Sequence, residues 1–335
     1  MLFRSRSGKL SDAEIVSLGG PSAGGIPVNV PKSNVTGQWD FDRGNLAATI
    51  GKPLTYFDGP TGLTQQGTMF GTTTDLGVSL INGEEAHVMR VPGDVIREIG
   101  YVMDHGIKPN GGGTLVNQFT LVMDVMIATT GRTAASMLQI SSLNNTDDGD
   151  LFWQGNNFGQ GNGGYNGTGA FTPGVWHRVV AAYDEAATPP VVTKYVDGIK
   201  QDDWTANQGL DNPRRSLQAT AILFGDGDQD ERREWWVNSI QIRSGKLSDK
   251  EMELLGGPQA AGIPVNIGLA DAKGPKLTLV REGNNLTISW APALGTLEST
   301  DSLVKPVTWT AVPDVIGNSV TVDISSGNKI FRVRQ

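Results

Sequence analysis

Twenty-five residues of this chain occur twice, and the distance between the copies sets the size of what lies between them. Arg6-Ser7-Gly8-Lys9-Leu10-Ser11-Asp12 through Gly25-Ile26-Pro27-Val28-Asn29 recurs as Arg243-Ser244-Gly245-Lys246-Leu247-Ser248-Asp249 through Gly262-Ile263-Pro264-Val265-Asn266. Over residues 6–30 and 243–267, 18 of 25 positions are identical. The offset from Arg6 to Arg243 is 237 residues, the span of one large β domain and far beyond a solenoid repeat of roughly 20–50 residues. Each copy encodes a short helix. Ser11 and Ser248 are N-cap residues, Glu14 and Glu251 complete a capping box, and Gly19-Gly20-Pro21 and Gly256-Gly257-Pro258 end the helix. A complete strand, residues 235–242, precedes the second copy, whereas almost nothing precedes the first. Residues 1–30 are therefore expected to be the tail of an upstream repeat of the same parent chain, followed by a linker.

The stretch between the copies reads as many short strands. Gly at 44 and Pro at 17 punctuate it, as β folds with many turns require. Residues 115–126 are too apolar for an exposed edge and suit a central strand. Residues 175–183 form another, opened by Pro173-Gly174. Residues 191–196 and 199–201 flank Asp197-Gly198, a strong hairpin signal. The one capped helix is at 248–255. About 220 residues of short strands without alternating helices predict a β-sandwich or jelly roll.

The run Gly174-Val175-Trp176-His177-Arg178-Val179-Val180-Ala181-Ala182-Tyr183, with Lys194-Tyr195-Val196-Asp197-Gly198 after it, resembles the core of laminin-G/concanavalin-A-like jelly rolls. The closing Leu247-Ser248-Asp249-Lys250-Glu251 is similar to the ending of bacterial members, and the opening Trp39-Asp40-Phe41-Asp42 fits as well. The resemblance implies an all-β concanavalin-A-like jelly-roll sandwich over residues 31–267. It also implies a glycan-binding or cell-surface interaction module of a larger exported bacterial protein, acting outside the cell. The same fold hosts lectins, adhesion modules, hydrolases and lyases, so a polysaccharide-degrading enzyme is the alternative.

Residues 268–275 have linker composition. Five strand-like segments follow, at 277–280, 286–290, 307–312, 320–324 and 330–333. Residues 276–335 look like a small fibronectin-type or immunoglobulin-like β module serving as spacer or anchor.

Charge and composition exclude several functions. A net charge of -8 with no basic stripe excludes nucleic acid as a partner, because that binding rests on phosphate neutralisation. The absence of cysteine excludes thiolate catalysis, disulfides and Cys-ligated metals. No apolar run reaches the length of a membrane span.

Calcium is the expected cofactor. Asp226, Asp228 and Asp230 alternate through Gly225 to Glu231 and offer oxygen ligands to a hard cation; Asp147-Asp148-Gly149-Asp150 and the pair Asp40 and Asp42 are lesser candidates. A polysaccharide or glycoconjugate is the expected partner. Its binding calls for flat rings that cover apolar sugar faces and for amides that meet hydroxyls. Trp153, Gln154, Asn156, Asn157 and Tyr165 supply both within one Gly/Asn-rich stretch, and Trp204 is a second ring in a polar segment. Trp39, Trp176 and one of the adjacent Trp235 and Trp236 are expected in the core. Gly159-x-Gly161-x-x-Gly164 lacks the strand and helix of a dinucleotide site. Gly20-Pro21-Ser22-Ala23-Gly24 follows a helix, where a nucleophile elbow needs a strand before it. His87, His105 and His177 match no zinc spacing. Two weak catalytic sets remain: Asp228, Glu231 and Glu234 for a hydrolase, and His105, Arg178 and Tyr183 for a lyase.

Overall fold

A computed structural model describes residues 34–93, 100–143, 150–160, 164–205, 209–225, 233–267, 276–291, 296–302, 308–315, 318–323 and 329–334. The first copy of the repeat, the linker 268–275 and the acidic loop with Asp226, Asp228 and Asp230 lie outside them. The chain divides into two compact units, Met1–Asn266 and Ile267–Gln335. No described helix is long and apolar enough to cross a membrane.

The first unit is an all-β sandwich. In chain order its strands are β1 (Val35–Trp39), β2 (Thr55–Tyr56), β3 (Met69–Thr72), β4 (His87–Val91), β5 (Tyr101–Met103), β6 (Gln118–Ile127) and β7 (Ala134–Gln139). There follow β8 (Leu151–Gln154), β9 (Asn157–Gly159), β10 (His177–Asp184), β11 (Val191–Val196), β12 (Ile199–Thr205), β13 (Ala221–Leu223) and β14 (Trp235–Ser244). Among the described residues two helices join them, α1 (Leu63–Gly67) and α2 (Asp249–Leu255). The larger sheet has eight strands in the order β12-β11-β10-β6-β14-β4-β3, with β1 also paired to β14; the smaller has six, β2-β5-β13-β7-β8-β9.

Strand alternation builds the core between the sheets. From β6, Phe119, Leu121, Met123, Val125 and Ile127 face inward, and from β10 Val179, Ala181 and Tyr183 join them. Phe119 and Tyr183 stack with centroids 4.3 Å apart. The smaller sheet contributes Tyr101, Met103, Leu138, Leu151, Trp153 and Leu223. Each such side chain stabilises the fold by about 1.5–3 kcal/mol. On β14 the phase changes part-way. The register with β6 shifts between Val237 and Ser239, so the inward residues are Trp235 and Val237 before the bulge and Ile240 and Ile242 after it. Trp236 points the other way and is half-buried, while Trp39 and Trp176 are buried as expected.

The outer face of the large sheet carries buried polar side chains where solvent-facing ones are the rule, because residues 245–267 lie across it. Arg178 and Asp124 are register partners on β10 and β6 and form a bidentate pair of 2.6 and 2.7 Å, both side chains fully buried. Arg178 also donates to the carbonyls of Leu255 at 2.5 Å and Gly262 at 3.1 Å. Arg243 donates to the carbonyls of Pro264 and Val265, each at 2.8 Å. Ser248 and Glu251 form the predicted capping box at the start of α2. Gly262, at φ +79°, passes so close to β14 and Asp40 that a Cβ there would stand 2.8 Å from the Asp40 carboxylate. Asp40 itself is buried, accepting from Ser239 at 2.6 Å and from Gln38 at 3.0 Å. Asp42, its neighbour in the candidate metal pair, is exposed.

The second unit has two three-stranded sheets. One is β15 (Lys276–Glu282), β16 (Asn285–Ala291) and β19 (Ser319–Asp323); the other is β18 (Thr310–Ala311), β17 (Thr296–Thr300) and β20 (Ile330–Arg334). Ile288, Trp290, Leu297 and Val320 form its small core. Arg332 lies 4.1 Å over the Trp309 ring and pairs with Glu298 at 2.7 Å.

Candidate functional site

Of the residues predicted to hold a glycan, Gln154, Asn156 and Asn157 lie on the β8–β9 hairpin, at the edge of the smaller sheet and so on one rim of the first unit. Its turn residues Gly155 and Asn156 have φ of 58° and 64°, the two positive angles that a tight two-residue hairpin requires. The segment that follows is tied back onto the hairpin. Phe171 N–H donates to the Asn156 carbonyl at 3.0 Å, and Gly169 N–H donates to Asn157 Oδ1 at 2.9 Å. Thr168 donates through N–H and Oγ1 to Gln201 Oε1 on β12, at 3.0 and 2.7 Å. Beneath, the buried Lys194 ammonium donates to the carbonyls of Phe158 and Asn166, both at 2.9 Å. Burial pushes the Lys194 pKa down, since the charge has left water.

The rim divides the predicted residues into supports and free groups. Asn157 is a support, its carbonyl oxygen taken by Gly169 and its amide nitrogen donating to the Gly155 carbonyl at 3.2 Å. Gln154 and Asn156 are half-buried, and no described residue forms a hydrogen bond with their side-chain amides. Tyr165 is half-buried, its backbone close to Gly159 at the far end of β9. Trp204 pairs with Val192 on the edge strand β12; its side chain lies outside the described atoms.

Trp153 corrects the expectation of an open aromatic platform. Its residue is 4 % exposed, its Nε1–H donates to the Phe171 carbonyl at 2.8 Å, and the Arg233 guanidinium lies 4.7 Å from the ring. The ring belongs to the core. Odd positions of β8, Leu151 and Trp153, face inward, and this leaves Gln154 toward the rim.

The predicted calcium ligands Asp226, Asp228 and Asp230 lie outside the described residues, but both ends of their loop are placed. Gly225 accepts from Ser136 Oγ at 2.7 Å, and Arg233 donates to the Arg132 carbonyl at 2.9 Å while covering Trp153. Among the described residues no group of three His, Asp or Glu side chains gathers to hold a metal. Of the lesser candidates, Asp150 accepts from Ile140 N–H at 2.8 Å and pairs with Arg214 at 3.3 Å, which occupies it structurally.

The lyase set does not assemble, and of the hydrolase set Asp228 and Glu231 lie outside the described residues. Arg178 lies on the outer face of β10 against Asp124, and Tyr183 lies on the inner face of the same strand. His105 is buried elsewhere. Its Nδ1 accepts from Ile107 N–H at 3.1 Å and its Nε2 donates to the Gln218 carbonyl at 2.5 Å, and burial lowers its pKa, so the ring is held neutral. Glu234 pairs with Arg90. His177 donates from Nδ1 to Asp197 at 2.7 Å and accepts from Thr172 N–H at 3.2 Å. Asp197 accepts in turn from Arg178 N–H at 2.8 Å, so this histidine braces the β11–β12 hairpin.

One cluster that sequence reasoning missed is buried at the end of β10. Glu185 lies 3.9 Å from Arg215, beyond hydrogen-bond reach, and neither its carboxylate oxygens nor the Tyr183 hydroxyl has a hydrogen-bond partner among the described residues. Burial pushes the Glu185 pKa up to about 7, against the pull of Arg215 and with a small push from Asp184. The folded protein thus holds a proton that the unfolded chain releases near its ordinary pKa. The stability this contributes is present at acid pH and is lost as pH rises through about 7. Glu185→Gln is expected to leave the midpoint of urea unfolding unchanged near pH 4.5 and to raise stability at pH 8 by on the order of 1 kcal/mol. A single residue earlier, Glu would be unremarkable; only its position one step past the last β10 pair seals it from water.

No protein-family model matches the chain, and no curated protein sequence matches it. Solved structures similar to it include domain 4 of AbnA, a GH43 extracellular arabinanase from Geobacillus stearothermophilus, in complex with arabinotriose. That match has 15 % identity and a TM-score of 0.41, covering 66 % of this chain and 97 % of that one. The receptor-binding domain of botulinum neurotoxin type G is similar at 11 % identity and a TM-score of 0.41, covering 87 % and 81 %. Trypanosoma rangeli sialidase in complex with sialic acid is similar at 14 % identity and a TM-score of 0.45; the match covers 73 % of this chain and 36 % of the sialidase.

Proposed function

We propose that this chain is a glycan-binding, cell-surface interaction module of a larger exported bacterial protein, with a concanavalin-A-like jelly roll as its first unit and a fibronectin- or immunoglobulin-like spacer as its second. The observation that carries the reading is the pair of side-chain amides, Gln154 and Asn156, with which no described residue forms a hydrogen bond, held on the tight β8–β9 hairpin. Amides offer a donor and an acceptor together, which suits adjacent sugar hydroxyls, and a pre-ordered turn lowers the entropy cost of binding. The resemblance of residues 174–198 to laminin-G-like domains supports the same class. Calcium belongs to the reading through the alternation of Asp226, Asp228 and Asp230 in a loop whose two ends are anchored next to Trp153.

The test is retention of the full chain on a panel of immobilised polysaccharides, in calcium and in chelator, with reducing ends assayed in parallel. Retention without released reducing ends is expected, and chelator weakens it. Release of reducing ends would replace the binding reading with a hydrolase, and no retention on any polysaccharide would remove it.

A further inference from the structure

The end of β10 holds a group of buried polar side chains that the ligand reading leaves unused. The ladder between β10 and β6 runs one step past Asp184 and Gln118, because Glu185 N–H donates to the Asn117 carbonyl at 2.9 Å. Alternation therefore keeps Glu185 on the inner face with Tyr183. Both are shut off from solvent, Glu185 at 1 % exposure and Tyr183 at 0 %. Arg215, also buried, completes the group, with its Nη1 3.9 Å from Glu185 Oε1.

One side chain fixes these positions. Asn117 is fully buried; its amide nitrogen donates to Asp211 Oδ1 at 3.1 Å, and its Oδ1 accepts from Asp211 N–H at 2.7 Å and from Ser216 Oγ at 2.6 Å. Segment 211–216, which carries Arg215, and the end of β10, which carries Glu185, are thus pinned to the same residue. In this setting the Tyr183 hydroxyl and both Glu185 oxygens have no hydrogen-bond partner among the described residues. Arg215 cannot supply one from 3.9 Å, since an N–H···O bond spans about 2.7–3.2 Å. Buried polar groups of a folded protein are satisfied by protein or by ordered water.

We infer that Tyr183, Glu185 and Arg215 form an internal binding site for water, in which at least one water molecule bridges the Glu185 carboxyl to the Arg215 guanidinium with the Tyr183 hydroxyl as third partner. The hydrogen-bonding inventory fits. A guanidinium only donates, a carboxyl oxygen accepts and a phenol does both, so a molecule that donates and accepts completes all three. Three partners is also the usual number for a buried water. The surrounding charges select a neutral guest. Asp150, Arg215 and Glu185 bear on the Tyr183 hydroxyl, Asp184 bears on Glu185, and Arg214 stands 3.3 Å from Asp150. An anion would meet the carboxylates of this set and a cation its two guanidinium groups. No group of three His, Asp or Glu side chains gathers there among the described residues to hold a metal. The inference stands apart from the ligand reading.

Two measurements test it. A crystal structure of the full chain, at a resolution that orders internal waters, is expected to show a water within about 2.7–3.2 Å of a Glu185 oxygen and of Arg215 Nη1. Glu185 bonded directly to a protein group with no water beside it, or an ion in that place, would overturn the inference. Oxygen-17 magnetic relaxation dispersion then counts slowly exchanging waters in the full chain and in two variants at the same position. Glu185→Gln keeps a polar group for the bridge and is expected to keep the count, whereas Glu185→Leu offers none and is expected to lose about one water. An equal count in the folded Leu variant would also overturn it. Should that variant fail to fold, the crystal structure of the parent chain decides alone.

Discussion

Arg178→Ala lowers the unfolding free energy of the first unit by about 3–5 kcal/mol, the cost of leaving one member of a buried ion pair alone. Asp124 is fully buried, and its carboxyl depends on the guanidinium across the strand pair. Burial already pushes its pKa up, with Arg178 acting against that shift. Without Arg178 the carboxylate must either stay charged in a dry site or take up a proton. The carbonyls of Leu255 and Gly262 lose a donor at the same time, so the crossing segment 245–267 loosens together with the sheet. Chemical denaturation measures the loss, and limited proteolysis within residues 245–267 locates it. The double variant Asp124→Leu with Arg178→Met recovers most of the stability, because apolar groups of similar volume replace the pair without leaving a charge behind. An Arg178→Ala protein as stable as the parent would mean that the pair is solvated and residues 245–267 do not seal the face.

Trp153→Ala is expected to lower stability by about 3–5 kcal/mol, as removal of a large buried ring does. The void would open beneath Arg233, which covers the ring face, and beside the Phe171 carbonyl, which accepts from the indole N–H. Trp153→Phe should lose far less, chiefly the hydrogen bond to the Phe171 carbonyl at about 1 kcal/mol. Thermal unfolding of the two variants separates a core ring from a binding platform. A platform would leave the melting temperature almost untouched in both.

The sequence carried the parts of this fold that depend on neighbouring residues. Asp197 and Gly198 have φ of 52° and 77°, the turn that an Asp-Gly pair encodes. The Ser248–Glu251 box, the long β6 strand and the opposite faces of Trp235 and Trp236 are equally local. What it did not display depends on distant partners. β2, β5 and β13 have only two or three residues each and exist because they pair with one another, so no periodicity announces them. The bulge at residues 237–239 of β14 reverses which positions face inward, and it is fixed by pairing with β6. Asp124 looks like a flaw in an apolar strand until Arg178 and residues 245–267 are placed against it.

The candidate rim was half legible for the same reason. A Gly/Asn-rich stretch advertises a turn, and Gln154, Asn156 and Asn157 do gather at one. Composition alone could not separate Asn157, consumed by the Gly169 N–H, from the free amides beside it. Nor could it foresee that Trp153, the most prominent ring of the stretch, alternates inward with Leu151 into the core.

Calorimetric titration of the full chain and of the Gln154→Ala/Asn156→Gly double variant, with an oligosaccharide from a polysaccharide that the full chain retains, tests the rim most directly. Glycine at 156 keeps the positive φ of the turn, so the hairpin survives while both amides are removed. The account predicts an unchanged melting temperature and an affinity at least about tenfold weaker, the loss of two hydrogen bonds to a ligand. An unchanged affinity in the double variant would contradict it.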